Sequence, residues 1–119
     1  MVDTETTRQG AEAMRLLLER DPRPDGVFCF NDPLAIGAMS VIFEAGLRIP
    51  EDIALIGCGN LPNNDWLRVP LSSIDQHSQM IGQRAAELVL SLIESKQMPR
   101  ARTIILEPTL VVRSSTKRK

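Results

Sequence analysis

Apolar residues along this chain switch between two spacings, and the switching outlines an alternating α/β order. Ala11, Met14, Leu17 and Leu18 recur at three- and four-residue intervals, which predicts an amphipathic helix running to about Arg20. Asp21-Pro22-Arg23-Pro24-Asp25-Gly26 breaks it, since proline removes the amide donor that a continuing helix needs. The run Val27-Phe28-Cys29-Phe30 is too short for a core helix and bulky enough for a strand buried on both faces. It ends in Asn31-Asp32-Pro33, after which Leu34, Ile36, Ile42 and Phe43 return to helical spacing. Asp32 suits the N-cap, Pro33 the first helical position and Gly46 the C-terminal stop.

The alternation continues. Residues 53–58 form a second buried run, followed by the loop-forming Gly59-Asn60-Leu61-Pro62-Asn63-Asn64-Asp65. A short extended piece at 71–75 leads into the longest helix, with Ser78 as its expected N-cap and Ile81, Ala85, Leu88, Val89 and Leu92 as its apolar stripe. Met98-Pro99 ends that unit, and two extended runs follow at 103–106 and 110–112, separated by Glu107-Pro108. The pattern predicts an α/β fold, a doubly wound and mainly parallel sheet flanked by helices. Ligands collect at the carboxyl ends of parallel strands, so Asn31 and Gly59-Asn60 are expected side by side on a common rim.

Composition narrows the chemistry. The 119 residues make one domain or part of one, with 43% hydrophobic, 24% charged and only 3% aromatic residues, so Leu, Ile, Val, Ala and Met must supply the core. A net charge of −1 argues against this chain gripping nucleic acid by itself, and Lys117-Arg118-Lys119 reads as a frayed tail. The polar, acidic N-terminus is no signal peptide and no apolar run reaches membrane-spanning length. Cys29 and Cys58 read as buried thiols of a cytoplasmic protein, and His77 as a loop residue without a catalytic partner pattern. There is no GxGxxG, no Walker lysine loop, no acid/base carboxylate pair and no triad spacing. The expectation is a protein without enzymatic activity, metal or cofactor.

Four strings, in order and suitably separated, carry a resemblance: PDGVFCFNDPLAIGAMSVIFEAGLRIPEDIALIGCGN, VPLSSIDQ, GQRAAELVLSLIES and LVVRSST. Together they resemble the carboxyl-terminal half of LacI/GalR-type transcriptional regulators, from about Thr7 to Thr116. The resemblance implies one lobe of a periplasmic-binding-protein-like fold plus a crossover helix. Residues of about 7–75 and 110–116 would build the carboxyl-terminal lobe. Those of about 78–106 would be a helix and a strand that normally belong to the amino-terminal lobe. In such regulators a helix-turn-helix headpiece binds operator DNA, a small effector binds between the lobes, and dimerisation of the core pairs the headpieces. No counterpart of the headpiece is recognisable in this chain.

By resemblance, Asn31 faces the effector, its amide suited to hydroxyl groups, where the residues alone favour a turn amide bonding its own backbone. Asp32 reads as occupied in capping. The second wall departs from the family pattern. Gly59 stands where an acidic residue usually holds ligand hydroxyls, and Cys58 where an aromatic is usual. Asn60 is left as a weaker substitute, and a typical sugar is not implied. Gln76 matches a polar residue at the lobe crossover, open to ligand contact or a hinge hydrogen bond. Ile36 and Ser40 share a helical face whose family counterparts pack across a dimer two-fold, and Trp66 and Leu67 match another part of that interface.

The function expected from all this is an effector-sensing and dimerisation module of a LacI/GalR-type regulator. Its partners would be a small-molecule effector and a second copy, with operator DNA reached only through a headpiece. A fragment of a periplasmic sugar-binding protein is the alternative, and a nucleotide-using α/β enzyme a more distant one.

Overall fold

The computed structural model describes residues 4–97 and 100–119; the expected helix stop at Met98-Pro99 lies outside the described residues. Helix α1 spans Thr4–Leu18, strand β1 Gly26–Phe28, helix α2 Asp32–Glu44 and strand β2 Ala54–Cys58. A 3-10 turn at Pro62–Trp66, strand β3 Ser72–Asp75, helix α3 Ser78–Glu94, strand β4 Thr109–Val111 and a last 3-10 turn at Ser114–Thr116 complete the order. The sheet runs β1-β2-β3-β4. Both β1–β2 and β2–β3 are parallel, and β3–β4 is antiparallel. This is the mainly parallel, helix-flanked α/β sheet that the alternating pattern predicts.

The register Val27↔Leu55 and Gly57↔Ser73 places those residues on one face of the sheet. Helices α1 and α2 supply the other half of that core, through Met14, Ala35, Ala38, Met39, Val41 and Ile42, packed with Leu55 and Leu71. The two helices meet backbone to backbone. A Cβ added at Gly10 would lie 2.2 Å from the Leu34 carbonyl oxygen, and one at Gly37 would lie 1.9 Å from that of Thr7. Helix α2 then ends in a Schellman motif: Gly46, at φ +74°, donates to Phe43 O, and Leu47 donates to Ile42 O.

Several local expectations are corrected. The N-cap of α2 is Asn31, whose Oδ1 accepts from Leu34 N at 2.9 Å, one residue before the expected Asp32. The N-cap position of α3 belongs to His77, in the left-handed region, rather than to Ser78. The first strand is not buried on both faces, for Phe28 is 60% and Phe30 80% exposed. It is the edge of the sheet, and α1 and α2 cover only the face bearing Val27. Residues 103–106 are not a strand, having no neighbouring ladder; Ile104 and Leu106 instead line a cavity with Ile81, Ala85 and Leu88 of α3. The carboxyl-terminal tail is anchored, since the Arg118 guanidinium donates to the carbonyls of Pro50 and Asp25.

Helix α3 stands away from the lobe. None of its residues is buried, and its apolar stripe lies open. The Cα radius of gyration is 18.5 Å with extents of 63 × 30 × 27 Å. A compact domain of this length would have a radius of about 13.5 Å.

Candidate functional site

Because β1 and β2 are parallel neighbours, the two βα corners that follow them emerge at the same end of the sheet, as the common rim requires. Asp32 welds them together. Its side chain has no exposed surface. Oδ2 accepts from Leu61 N at 2.8 Å and Asn64 Nδ2 at 2.9 Å, and Oδ1 from Ser73 Oγ at 2.7 Å. One carboxylate thus ties the corner after β1 to the loop after β2 and to strand β3. The capping role expected of Asp32 falls to Asn31, and Asp32 does this bridging instead.

The glycines after β2 make room for it. A Cβ at Gly57 would lie 2.3 Å from Asp32 Oδ1, so any larger residue would displace the carboxylate. Gly59, at φ +117°, adopts a backbone conformation that side chains disfavour, and a Cβ added there would lie 3.7 Å from Asp32 Oδ2. The departure from the acidic residue usual at that position therefore has a local reason: the corner is turned by a glycine above a carboxylate that is already buried.

The rim itself is polar. A cleft of about 510 Å³ is lined by Gly59, Asn60, Leu61 and Pro62 on one side and by Asp75, His77, Ser78, Gln79, Met80 and Gln83 on the other. Asn60, at φ +49°, is held from three directions. Its backbone N–H donates to Ser73 Oγ at 3.0 Å, its Nδ2 to Asp75 Oδ2 at 3.2 Å, and its Oδ1 accepts from Arg113 at 2.8 Å. Arg113 also donates to Leu71 O and pairs with Asp65, so its guanidinium is a strut rather than a free ligand group. The backbone N–H of His77 holds the Asp75 carboxyl below the usual carboxylate range; burial opposes it, and the Asn60 amide adds a smaller lowering. The rim thus offers amides, hydroxyls and one carboxylate already engaged by two donors.

Of the residues expected to meet a ligand, Asn60 lines this cleft, whereas Asn31 and Gln76 do not. Asn31 is half-buried, with its Oδ1 committed to the α2 cap. Gln76 is exposed and makes no side-chain hydrogen bond among the described residues. Of the residues expected at a dimer two-fold, Ile36 is half-buried and Ser40 exposed on α2, Trp66 is 87% exposed, and Leu67 packs against its own core. Burial pushes the Cys29 thiol up to about 11, which suits a core residue rather than a nucleophile. Among the described residues no cluster of His, Cys, Asp and Glu could hold a metal, and no helix is long and apolar enough to cross a membrane. Sequence reasoning missed Asp75, His77, Arg113 and the Asp32 network. Two consecutive serines in a buried strand, Ser72 and Ser73, were the available signal that polar partners must lie inside.

Comparison with known proteins decides the family. A model of the periplasmic binding protein-like domain matches residues 1–116. The chain belongs to that family. It is 43% identical over 108 residues to an HTH-type transcriptional repressor PurR of Pasteurella multocida, covering 91% of this chain and 32% of the relative. It is 40% identical to the corresponding repressor of Mannheimia succiniciproducens, covering 92% of this chain and 32% of the relative. The chain therefore spans about a third of the length of these curated relatives. Among solved structures it superposes on a LacI family regulator from Arthrobacter sp. FB24 in complex with lactose, with a TM-score of 0.85 at 32% identity, covering 95% of this chain and 42% of that one. It also superposes on a CelR–cellobiose complex with a TM-score of 0.83 at 32% identity, covering 92% of this chain and 33% of that one. In this family setting, the lobe and its departing helix α3 are the features to read for function.

Proposed function

We propose that this chain is the effector-sensing and dimerisation part of a LacI/GalR-type transcriptional regulator, and that it is not an enzyme. The observation that carries the reading is the polar cleft at the carboxyl ends of β2 and β3, bounded by the loop after β2 and the start of α3. Residues of about 7–75 and 110–116 act as the lobe, while about 78–106 belong with an opposing lobe. Asn60 and Gln76 contact the effector, joined by Asn31 when a ligand draws on the amide nitrogen that its helix cap leaves open. Ile36, Ser40, Trp66 and Leu67 form the dimer contact, and operator DNA is bound through a headpiece elsewhere in the regulator. The site belongs to a cytoplasmic protein. The relatives are named as repressors, which favours this reading over a periplasmic sugar-binding protein.

The solved relatives carry lactose and cellobiose, so sugars are the first ligands to try. One wall of a cleft cannot exclude water from a ligand, so binding by this chain alone is expected to be weak, with Kd above about 10 μM. Titration of lactose, cellobiose and ribose against amide-resolved NMR spectra is expected to move the signals of Asn60, Asp75 and Ser78 with millimolar affinity for at least one ligand. Shifts confined to another face, or a calorimetric Kd below about 10 μM, would refute the reading.

A further inference from the structure

His77 stands where the lobe, the departing helix and the returning strand meet. It adopts a left-handed conformation, φ +54° and ψ +47°, at the step from β3 into α3. Such a conformation in a residue with a side chain is sparsely populated and persists only where the surroundings hold it. Three contacts do so. Its backbone N–H donates to Asp75 Oδ1 at 2.8 Å, its carbonyl accepts from Ile81 N at 2.9 Å, and its ring Nε2 meets Thr109 Oγ1 at 2.8 Å. Thr109 begins β4 and stands opposite Asp75 in the register, so the imidazole pins the outgoing crossover to the incoming one. Asp75 in turn accepts from the Asn60 amide on the cleft rim through its other oxygen.

We propose that His77 is a positioning residue that couples the rim at Asn60 to the orientation of α3, by way of Asp75 on one side and Thr109 on the other. The inference rests on the reading that this rim takes an effector. A ligand that turns or draws the Asn60 amide out of its place takes the Nδ2 donor from Asp75. Asp75 then redistributes its acceptance between Asn60 and His77, and the His77–Thr109 contact transmits the change to both crossovers. The helix carries no buried residue of its own and meets the lobe only at its base, so these polar contacts bear on its direction there. A ligand event at the rim would thereby become a change of angle at the helix, the motion that an effector-sensing module needs.

The test needs no ligand. Thr109→Val removes the hydroxyl and keeps the shape, and the Asn60 side-chain amide signals and the hydrogen exchange of the Ile81 amide report on the two ends. In the unaltered background, Thr109→Val is expected to shift the Asn60 signals and to speed Ile81 exchange about threefold to tenfold, the weight of one hydrogen bond. In a His77→Gly background, which accepts the left-handed backbone but has no ring, Thr109→Val is expected to change neither. His77→Gln, whose terminal amide reaches about as far as Nε2, is expected to restore part of the response. The proposal is overturned if Thr109→Val leaves Asn60 unmoved in the unaltered chain, or moves it equally when His77 is glycine. Because no effector is added, a negative result here is separate from a negative sugar titration.

Discussion

At the scale of the residue, Asp32 shows how a single buried side chain can hold the rim of a cleft together from inside the fold. Three donors from two segments, the loop after β2 and strand β3, converge on its carboxylate in a site with no exposed surface. Replacing it by alanine strands the Leu61 amide, the Asn64 amide and the Ser73 hydroxyl where water does not reach. Each such group costs about 1 kcal/mol or more, so Asp32→Ala is expected to lower the unfolding free energy by about 3 kcal/mol. A urea melt with an unchanged slope would measure it; a loss within experimental scatter of zero would show the carboxylate to be dispensable. Gly57→Ala is expected to be nearly as damaging in the native chain and much less so once Asp32 is alanine, because the added methyl meets the carboxylate at 2.3 Å. The sequence put Asp32 at a strand end but read its role as capping, since Asn and Asp cap about equally well and only packing chose Asn31.

Among the elements, the pairing of α1 with α2 depends on two glycines that present no side chain at the crossing. Gly37→Ala would place a methyl 1.9 Å from a backbone oxygen, which no rotamer can relieve. The helices would have to separate, and a loss of about 2 kcal/mol is expected, visible as a lowered thermal midpoint with helix content preserved. Insensitivity to this change would mean that the crossing is looser than it stands here. The helices themselves were legible: periodic apolar positions marked α1, α2 and α3, and strong stop residues closed α1 and α2. Strand ends were legible to within a residue or two, because turn chemistry at Asn31-Asp32-Pro33 and Gly59-Asn60 is local. The run at 103–106 was misread because a short apolar run looks the same whether it pairs in a sheet or lies against a helix.

The whole molecule is an incomplete core with an arm. Helix α3 exposes Ile81, Val89, Leu92 and Ile93, and the sheet edge exposes Phe28 and Phe30. Apolar area left in water on this scale drives association unless another surface covers it. Sedimentation at micromolar concentration is expected to show a dimer or larger species, and Val89→Glu with Leu92→Glu to diminish the species larger than a dimer. A monodisperse monomer of the unaltered chain would contradict this. By itself the sequence determined the alternation of helices and strands, the mainly parallel sheet and the shared rim, because apolar periodicity and turn residues act over a few neighbours. Tertiary structure alone decided which carboxyl group is buried, which residue caps α2, and that His77 bridges two crossovers. The buried carboxyl and the His77 bridge depend on segments some thirty residues apart coming within hydrogen-bond distance, as Asp32 and Leu61 do at 2.8 Å, and with Asp32 so engaged the cap falls to Asn31; no local pattern encodes that meeting.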